Sequence, residues 1–229
     1  MGNPISVQRT EGIGVLTIDN PPANALSQPV RAELLTALSE LGADPSTRAV
    51  VIAARGRNFA SGGGLGEIGR EGAPSAGDVA LAIEGFGKPV IAALHGAVVG
   101  GGLELALAAH FRIADRRATF AFPDISIGLC PGAGATQRLP RLIGPQAAAD
   151  MLLTGKPMDA ATAEQAGLID EIAEGPLPVY TLKQVLRRLG AGLAPRPTMS
   201  QGGRMTPAKP HLEALNARRE KIAQLPVPT

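Results

Sequence analysis

The sequence predicts an α/β fold, and two observations carry that prediction. A strand, a helix and a second strand follow one another between Gly14 and Gly56, and the same alternation resumes from Lys88 onward. Hydrophobic residues make up 45% of the 229 residues and charged residues 18%, an ordinary globular balance. Aromatic residues contribute only 3% and tryptophan is absent, so Ala, Val, Leu and Ile must build the core. A chain of this length buries one core more readily than two.

The elements follow in order. GVLTIDNPP, from Gly14, is a β-branched run stopped by two prolines and reads as a strand. LSQPVRAELLTALSELG places Val30, Leu34, Leu35, Leu38 and Leu41 at helical spacing, with Ser27 as N-cap and Gly42 at the end. RAVVIAARG and KPVIAALHG are apolar runs bounded by charge and glycine, hence two more strands. GLELALAAH is a helix, FRIAD and ATFAF are short strands, QAAADMLLTG is a helix and LIDEI a last short strand. After Gly175 the composition changes. TLKQVLRRLG is helical, APRPTMSQGGRMTPAKP reads as a linker or loosely held loop, and HLEALNARREKIAQL is a polar helix before PVPT. The expected division is a catalytic core over residues 1–175 and a helical and linker appendage over 176–229.

Several function classes are disfavoured at once. A net charge of +2 with a pI near 9.0 is mildly basic, but the basic residues are dispersed, so no nucleic-acid patch is expected. The single cysteine, Cys130, forbids an internal disulfide and argues against a cysteine-based metal site. The N-terminal residues hold no signal-peptide run and no later stretch could span a bilayer, so a soluble, cytoplasmic protein is expected. Met1, Gly2 and Ser6 fit a myristoylation pattern too permissive to carry weight.

GLGEIG, Gly64 to Gly69, satisfies the dinucleotide-binding pattern, but it does not follow a strand directly and no acidic residue closes the next strand. LTGKPMD lacks the hydroxyl residue after Lys156 that a P-loop needs. His95, His110 and His211 show no metal-ligand spacing and are assigned no chemistry. Two glycine clusters remain, RNFASGGGLGEI and HGAVVGGGLEL, each after a strand and each able to turn backbone N–H groups outward. Two such donors converging on one oxygen would form an oxyanion hole, aided by the positive end of a helix starting at Gly101 or Gly102. The plainer alternative is a pair of tight turns with close backbone packing.

Together with FAFPDISIGLCPGAGATQRLPRLIG, these stretches resemble the enoyl-CoA hydratase/isomerase (crotonase) superfamily over about Val15 to Ala173. The wording DNPPANALS, GGGLELALAAHFRIA and PGAGATQRLPRLIG looks most like the hydratase portion of multifunctional fatty-acid β-oxidation enzymes. The resemblance implies a crotonase-like spiral of repeated ββα units, assembled as a homotrimer or hexamer, that binds an acyl-CoA thioester. Coenzyme A is then part of the substrate, and no separate cofactor or metal is implied.

Residue by residue, the resemblance puts the oxyanion donors on the N–H groups of Gly63 and Gly101, the two catalytic carboxylates on Glu104 and Asp124, and a water-holding N–H on Gly132. Ala23, Ala25, Ser61, Gly62 and Pro131 would lie against the substrate. The implied reaction is addition of water across the 2,3-double bond of a 2-enoyl-CoA, with Glu104 activating the water and Asp124 delivering a proton to C2. Isomerisation of an enoyl-CoA, thioester hydrolysis, or a weakly active CoA-thioester-binding subunit are the alternatives. Three departures bear on these: Asp124 stands where hydratases usually carry glutamate, Gly64 where the family commonly has aspartate, and a polar helix from His211 with a proline ending stands in place of the usual C-terminal helices, so that either the tail is abbreviated or the chain is a segment or relative of a larger multifunctional protein. Burial should raise the Glu104 pKa while the helix N-terminus lowers it, and sequence alone does not decide between them.

Overall fold

The chain opens with an antiparallel hairpin, β1 (Ile5–Thr10) and β2 (Ile13–Ile18), turned at Glu11 and Gly12 with both at positive φ. In the computed structural model, residues 3–63, 67, 72–205 and 208–223 are described. Prolines 21 and 22 end the β2 segment, and α1 (Gln28–Ala43) follows from the expected cap residue Ser27, turning Val30, Leu34, Leu38 and Leu41 inward. β3 (Ala49–Ala54), α2 (Ala76–Glu84), β4 (Val90–Leu94), β5 (Ala97–Val99), α3 (Gly101–Ala108), β6 (Phe111–Ala114) and β7 (Thr119–Ala121) come next. A 3-10 turn (Pro123–Ile127), α4 (Ala135–Ile143), α5 (Pro145–Thr154), β8 (Met158–Asp159), α6 (Ala160–Ala166), β9 (Glu171–Ile172), α7 (Leu177–Gly190) and α8 (Ala208–Ala223) complete the order.

The larger sheet runs β1-β2-β3-β4-β6-β9, parallel except for the opening hairpin, and a smaller one runs β5-β7-β8. Isolated parallel bridges Ala25↔Ser61 and Ala60↔Val98 extend the smaller sheet toward the earlier turns of the chain. One unit, a long strand, a short strand segment and a helix, thus repeats: β2, Ala25, α1; β3, Ala60–Ser61, α2; β4, β5, α3; β6, β7, α4. This is the expected crotonase-like spiral.

Each repeat buries one face of its strand under helices. Along β3, Val50 and Ile52 join Leu34, Leu38, Ile83 and Leu103 in the main core. Ala49 and Val51 point the other way, into a second core with Ile91, Ile113, Leu177 and Val185 beneath α7. Arg112 is the largest fully buried side chain; its guanidinium donates to the carbonyls of Leu168 and Ala109 and pairs with Asp170 at 3.3 Å, stapling β6 to the approach to β9.

The segment expected to be a loose linker is pinned. Arg196 stacks over the Phe111 ring and pairs with Asp170, the Thr198 hydroxyl donates to the Leu107 carbonyl at 2.8 Å, and the Met199 N–H donates to Glu84 at 2.8 Å. Its prolines and glycines break helix and strand without loosening the chain, because buried polar groups on α2 and α3 supply partners. No described helix is long and apolar enough to cross a membrane.

Candidate active site

The second glycine cluster sets the position of α3. Gly100 has φ 52° and ψ −127°, a conformation that glycine adopts without steric cost. Its N–H donates to the Ala121 carbonyl and its carbonyl accepts the Glu104 N–H, each at 3.0 Å, so the chain turns from β5 into helix within one residue. A Cβ on Gly102 would lie 2.2 Å from the Ala60 carbonyl oxygen, so only glycine lets α3 rest this closely on the Ala60–Ser61 segment.

That approach brings the two glycine clusters face to face. A Cβ built on Gly62 would lie 3.2 Å from the Gly101 nitrogen, and one on Gly101 would lie 3.8 Å from the Gly63 nitrogen. The Gly62–Gly63 stretch is itself fixed by main-chain bonds: Ser61 N–H donates to Ala23, and Leu26 N–H to the Gly62 carbonyl, each at 3.2 Å. Asn24, buried at φ 51°, braces the neighbouring turn by donating to the carbonyls of Arg55 and Asn58 at 2.7 and 2.9 Å.

Beyond Gly63, Glu67 accepts the Gln28 N–H at 3.0 Å and pairs with the buried Arg31 at 2.7 Å, and Arg31 donates in turn to the Leu26 and Pro74 carbonyls. The Arg31 hydrogen bond holds the Glu67 carboxyl below the ordinary glutamate range. Gly64 and most of the GLGEIG segment lie outside the described residues.

The two acids come from different turns of the spiral. Glu104 sits in the first turn of α3 and is only 4% exposed. Its Oε1 accepts the N–H groups of Ala133 and Ala135, at 2.7 and 3.0 Å, from the loop entering α4. Burial pushes its pKa above the ordinary value of 4.5, against the two N–H donors; the negative charge of Asp124 adds to the rise and Arg138 opposes it. Burial therefore outweighs these two N–H donors. Asp124 stands on the 3-10 turn, with Oδ2 at 3.7 Å from where a Gly100 Cβ would lie. That oxygen is buried and has no hydrogen-bond partner among the described residues.

A buried ion pair stands behind the loop that holds Glu104. Arg138 donates through Nε and Nη2 to Glu84 Oε2, at 3.1 and 2.8 Å, and through Nη1 to the Ala133 carbonyl at 2.8 Å. His110 is buried beside it: Val90 N–H donates to Nδ1 at 2.9 Å, so the ring proton sits on Nε2, which faces the Glu84 carbonyl at 3.1 Å. Among the described residues no cluster of His, Cys, Asp or Glu forms a metal-ligand set.

This arrangement can polarise an oxygen with main-chain N–H groups and move protons with two carboxyls. A sequence model of the enoyl-CoA hydratase/isomerase family matches residues 8–200. The chain belongs to that family. Among relatives of this chain, the probable enoyl-CoA hydratase of Bacillus subtilis is 40% identical over 175 residues, covering 73% of this chain and 68% of that protein. The peroxisomal bifunctional enzyme of Danio rerio is 38% identical over 185 residues, or 80% of this chain, but the match spans only 26% of that longer protein. The crystal structure of an enoyl-CoA hydratase from Bacillus anthracis superposes with a TM-score of 0.75 at 27% identity, covering 97% of this chain and 92% of that one.

Several of the residues singled out in the sequence of this family member lie at or next to the N-terminal end of α3. Gly62 and Gly63 lie against Gly101, with Ser61 bonded to Ala23 and bridged to Ala25, and Asp124 lies near Gly100; among the described residues, Pro131 and Gly132 are tied to the site only through the following Ala133. The main-chain donors that reach Glu104 belong to Ala133 and Ala135, next to Gly132. Sequence reasoning missed Arg138, Glu84, Arg31 and Glu67. Charged residues inside apolar helical stretches were the available signal, but their partners lie far away, 54 residues for the Arg138–Glu84 pair.

Proposed function

We propose that the chain is an enoyl-CoA hydratase of the fatty-acid β-oxidation type, converting a 2-enoyl-CoA to a 3-hydroxyacyl-CoA. The observation that carries the reading is that Glu104, in the first turn of α3, and Asp124, whose Oδ2 lies near Gly100, both flank the end of α3 where the Gly62–Gly63 and Gly101 main chains face each other. Hydration needs a nucleophilic water at C3, a proton at C2, and stabilisation of negative charge on the thioester oxygen. Two carboxyls and two N–H donors meet those needs.

In this reading the N–H groups of Gly63 and Gly101 hold the thioester oxygen, and the substrate lies against Ala23, Ala25, Ser61, Gly62 and Pro131. Glu104, kept in orientation through Oε1, takes a proton from water as the hydroxyl adds to C3, with Gly132 N–H helping to place that water. Asp124 gives a proton to C2 as the enolate collapses. Return of the proton from Glu104 to Asp124, directly or by way of solvent, resets the site, so the balance is one water added. Coenzyme A enters as part of the substrate, and the protein works as a cytoplasmic homotrimer or hexamer.

The test is loss of the conjugated enoyl absorbance of a short 2-enoyl-CoA, with product identified by mass. Hydratase action predicts a 3-hydroxyacyl product and a fall of roughly 10²–10⁴-fold in Glu104→Gln and Asp124→Asn. Conversion of a 3-enoyl-CoA to the 2-enoyl thioester without hydroxyacyl product would instead make the protein an isomerase. Release of free thiol would make it a hydrolase, and tight binding without turnover a binding subunit.

A further inference from the structure

We propose that the buried Arg138–Glu84 pair is a positioning device for Glu104, acting through the main chain of Ala133; this rests on the reading of Glu104 as the group that activates water. Ala133 is gripped from both sides. Its N–H donates to Glu104 Oε1 at 2.7 Å, and its carbonyl accepts Arg138 Nη1 at 2.8 Å. The remaining face of the guanidinium is taken by Glu84 Oε2 through Nε and Nη2. Glu84 is fixed in turn, because Oε1 accepts the Met199 N–H at 2.8 Å.

The pair is costly to keep for packing alone. Arg138 is 4% exposed and Glu84 7%, and a buried pair pays a desolvation penalty that apolar side chains of similar volume avoid. Its placement points to a use beyond packing. The loop entering α4 has little regular structure to fix it: Gly132 is exposed and Gly134 has φ 101°. A Cβ on Gly134 would lie 2.2 Å from Arg138 Nη1, so the guanidinium occupies the space a side chain there would need and clamps the loop from behind. Orientation of a catalytic group to within about 1 Å is where such a clamp has most effect on rate.

The charged groups facing Glu104 have opposing effects. Asp124, from the 3-10 turn, disfavours its ionised form, and Arg138, from α4, favours it. Glu84 from α2 faces Arg138, and His110 faces the Glu84 carbonyl. Loss of the clamp therefore removes one favourable charge and loosens two N–H donors, and both changes move Glu104 toward higher pKa.

The experiment uses the full chain with Arg138→Gln, Glu84→Gln and the milder Arg138→Lys. It reads kcat and KM for 2-enoyl-CoA across pH, and the ¹³C-carboxyl shift of Glu104 during titration, assigned with Glu104→Gln. The expected result is kcat lowered on the order of ten- to hundredfold with KM changed by less than about threefold. The Glu104 titration and the acid limb of kcat should both move to higher pH in Arg138→Gln, whereas Glu84→Gln keeps the Arg138 charge and should lower kcat without that upward shift. Arg138→Lys, which keeps the charge but not the planar fork, should return the titration toward wild type while kcat stays low. Folded variants with wild-type kcat and an unmoved Glu104 titration would overturn the proposal. Should the glutamine variants fail to fold, the lysine variant decides alone, since full kcat there means the fork orients nothing. If the wild-type chain does not hydrate enoyl-CoA, the hydratase reading falls, and the Glu104 titration in the variants still tests the clamp.

Discussion

Replacing Gly102 with alanine tests the link between helix placement and chemistry. The new methyl carbon would lie 2.2 Å from the Ala60 carbonyl oxygen, 2.6 Å from its carbonyl carbon and 2.9 Å from its Cβ. Ordinary contact begins near 3.4 Å, so the first turn of α3 must retreat from the Ala60–Ser61 segment by about 1 Å. Overpacking of this kind costs about 1–3 kcal/mol. For a chain of this size each kcal/mol lowers Tm by about 2–4 °C, giving a drop of about 2–12 °C. The retreat also carries Gly101 N–H away from Gly63 and shifts Glu104, and a 1 Å misplacement costs on the order of a hundredfold in rate. The assay pairs a melting curve with initial rates of 2-enoyl-CoA hydration. Gly87→Ala is a packing control, because nothing lies within 4 Å of its Cβ position. A Gly102→Ala protein that melts lower yet hydrates at the wild-type rate would refute the argument that α3 placement sets the chemistry.

Other outcomes follow from the buried titratable groups and the shortened acid. Glu104 has a folded-state pKa above its ordinary 4.5, so its contribution to stability is fully present below that value and is lost as pH rises through the folded pKa. The Tm of Glu104→Gln relative to wild type should therefore rise across the same pH interval, while activity is lost. His110 is shifted the other way: burial holds it below 6.5, so its contribution is present above 6.5 and is lost as pH falls through the folded value. Acid melting curves of wild type should drop below that point more steeply than those of His110→Gln. Asp124→Glu extends an arm whose Oδ2 has no partner among the described residues, and kcat should rise, by up to about a hundredfold if reach limits the rate. An unchanged kcat would show that the aspartate already reaches.

The strands and helices that read clearly are those whose pattern is complete within a short window. β2, β3 and β4 are β-branched runs with sharp borders, and α1 carries its whole apolar stripe and its cap residue. α2 and α4 escaped notice for physical reasons. α2 is nine residues long, and its sequence signal was the Ser75–Asp78 capping box rather than a stripe. α4 contains Pro140, and its buried face mixes Leu139, Leu142 and Ile143 with Arg138, a charge whose partner lies on another helix. The same limit applies at the site. Glu104, Asp124 and the glycines could be located from local motifs and resemblance, whereas Glu84, Arg31 and Glu67 matter through contacts that only the closed spiral creates. Arg196 and Thr198, in the stretch that reads as a linker, are held by Asp170 and Leu107 for the same reason.

The facing glycine segments have a consequence for how this protein can be dissected. The donors proposed at Gly63 and Gly101 belong to the peptide backbone, so the genetic code offers no residue, proline aside, that deletes either one, and proline would recast the turn. A Cβ at Gly62 would meet the Gly101 nitrogen at 3.2 Å, and one at Gly101 would meet the Gly62 Cα at 3.1 Å, so even alanine scanning there reports crowding rather than lost polarity. Chemical replacement of the Gly100–Gly101 amide by an ester removes one N–H and leaves the outline almost intact. Atomic-scale editing of the main chain, rather than a catalogue of side-chain mutants, is the approach suited to the half of this site that carries no side chains.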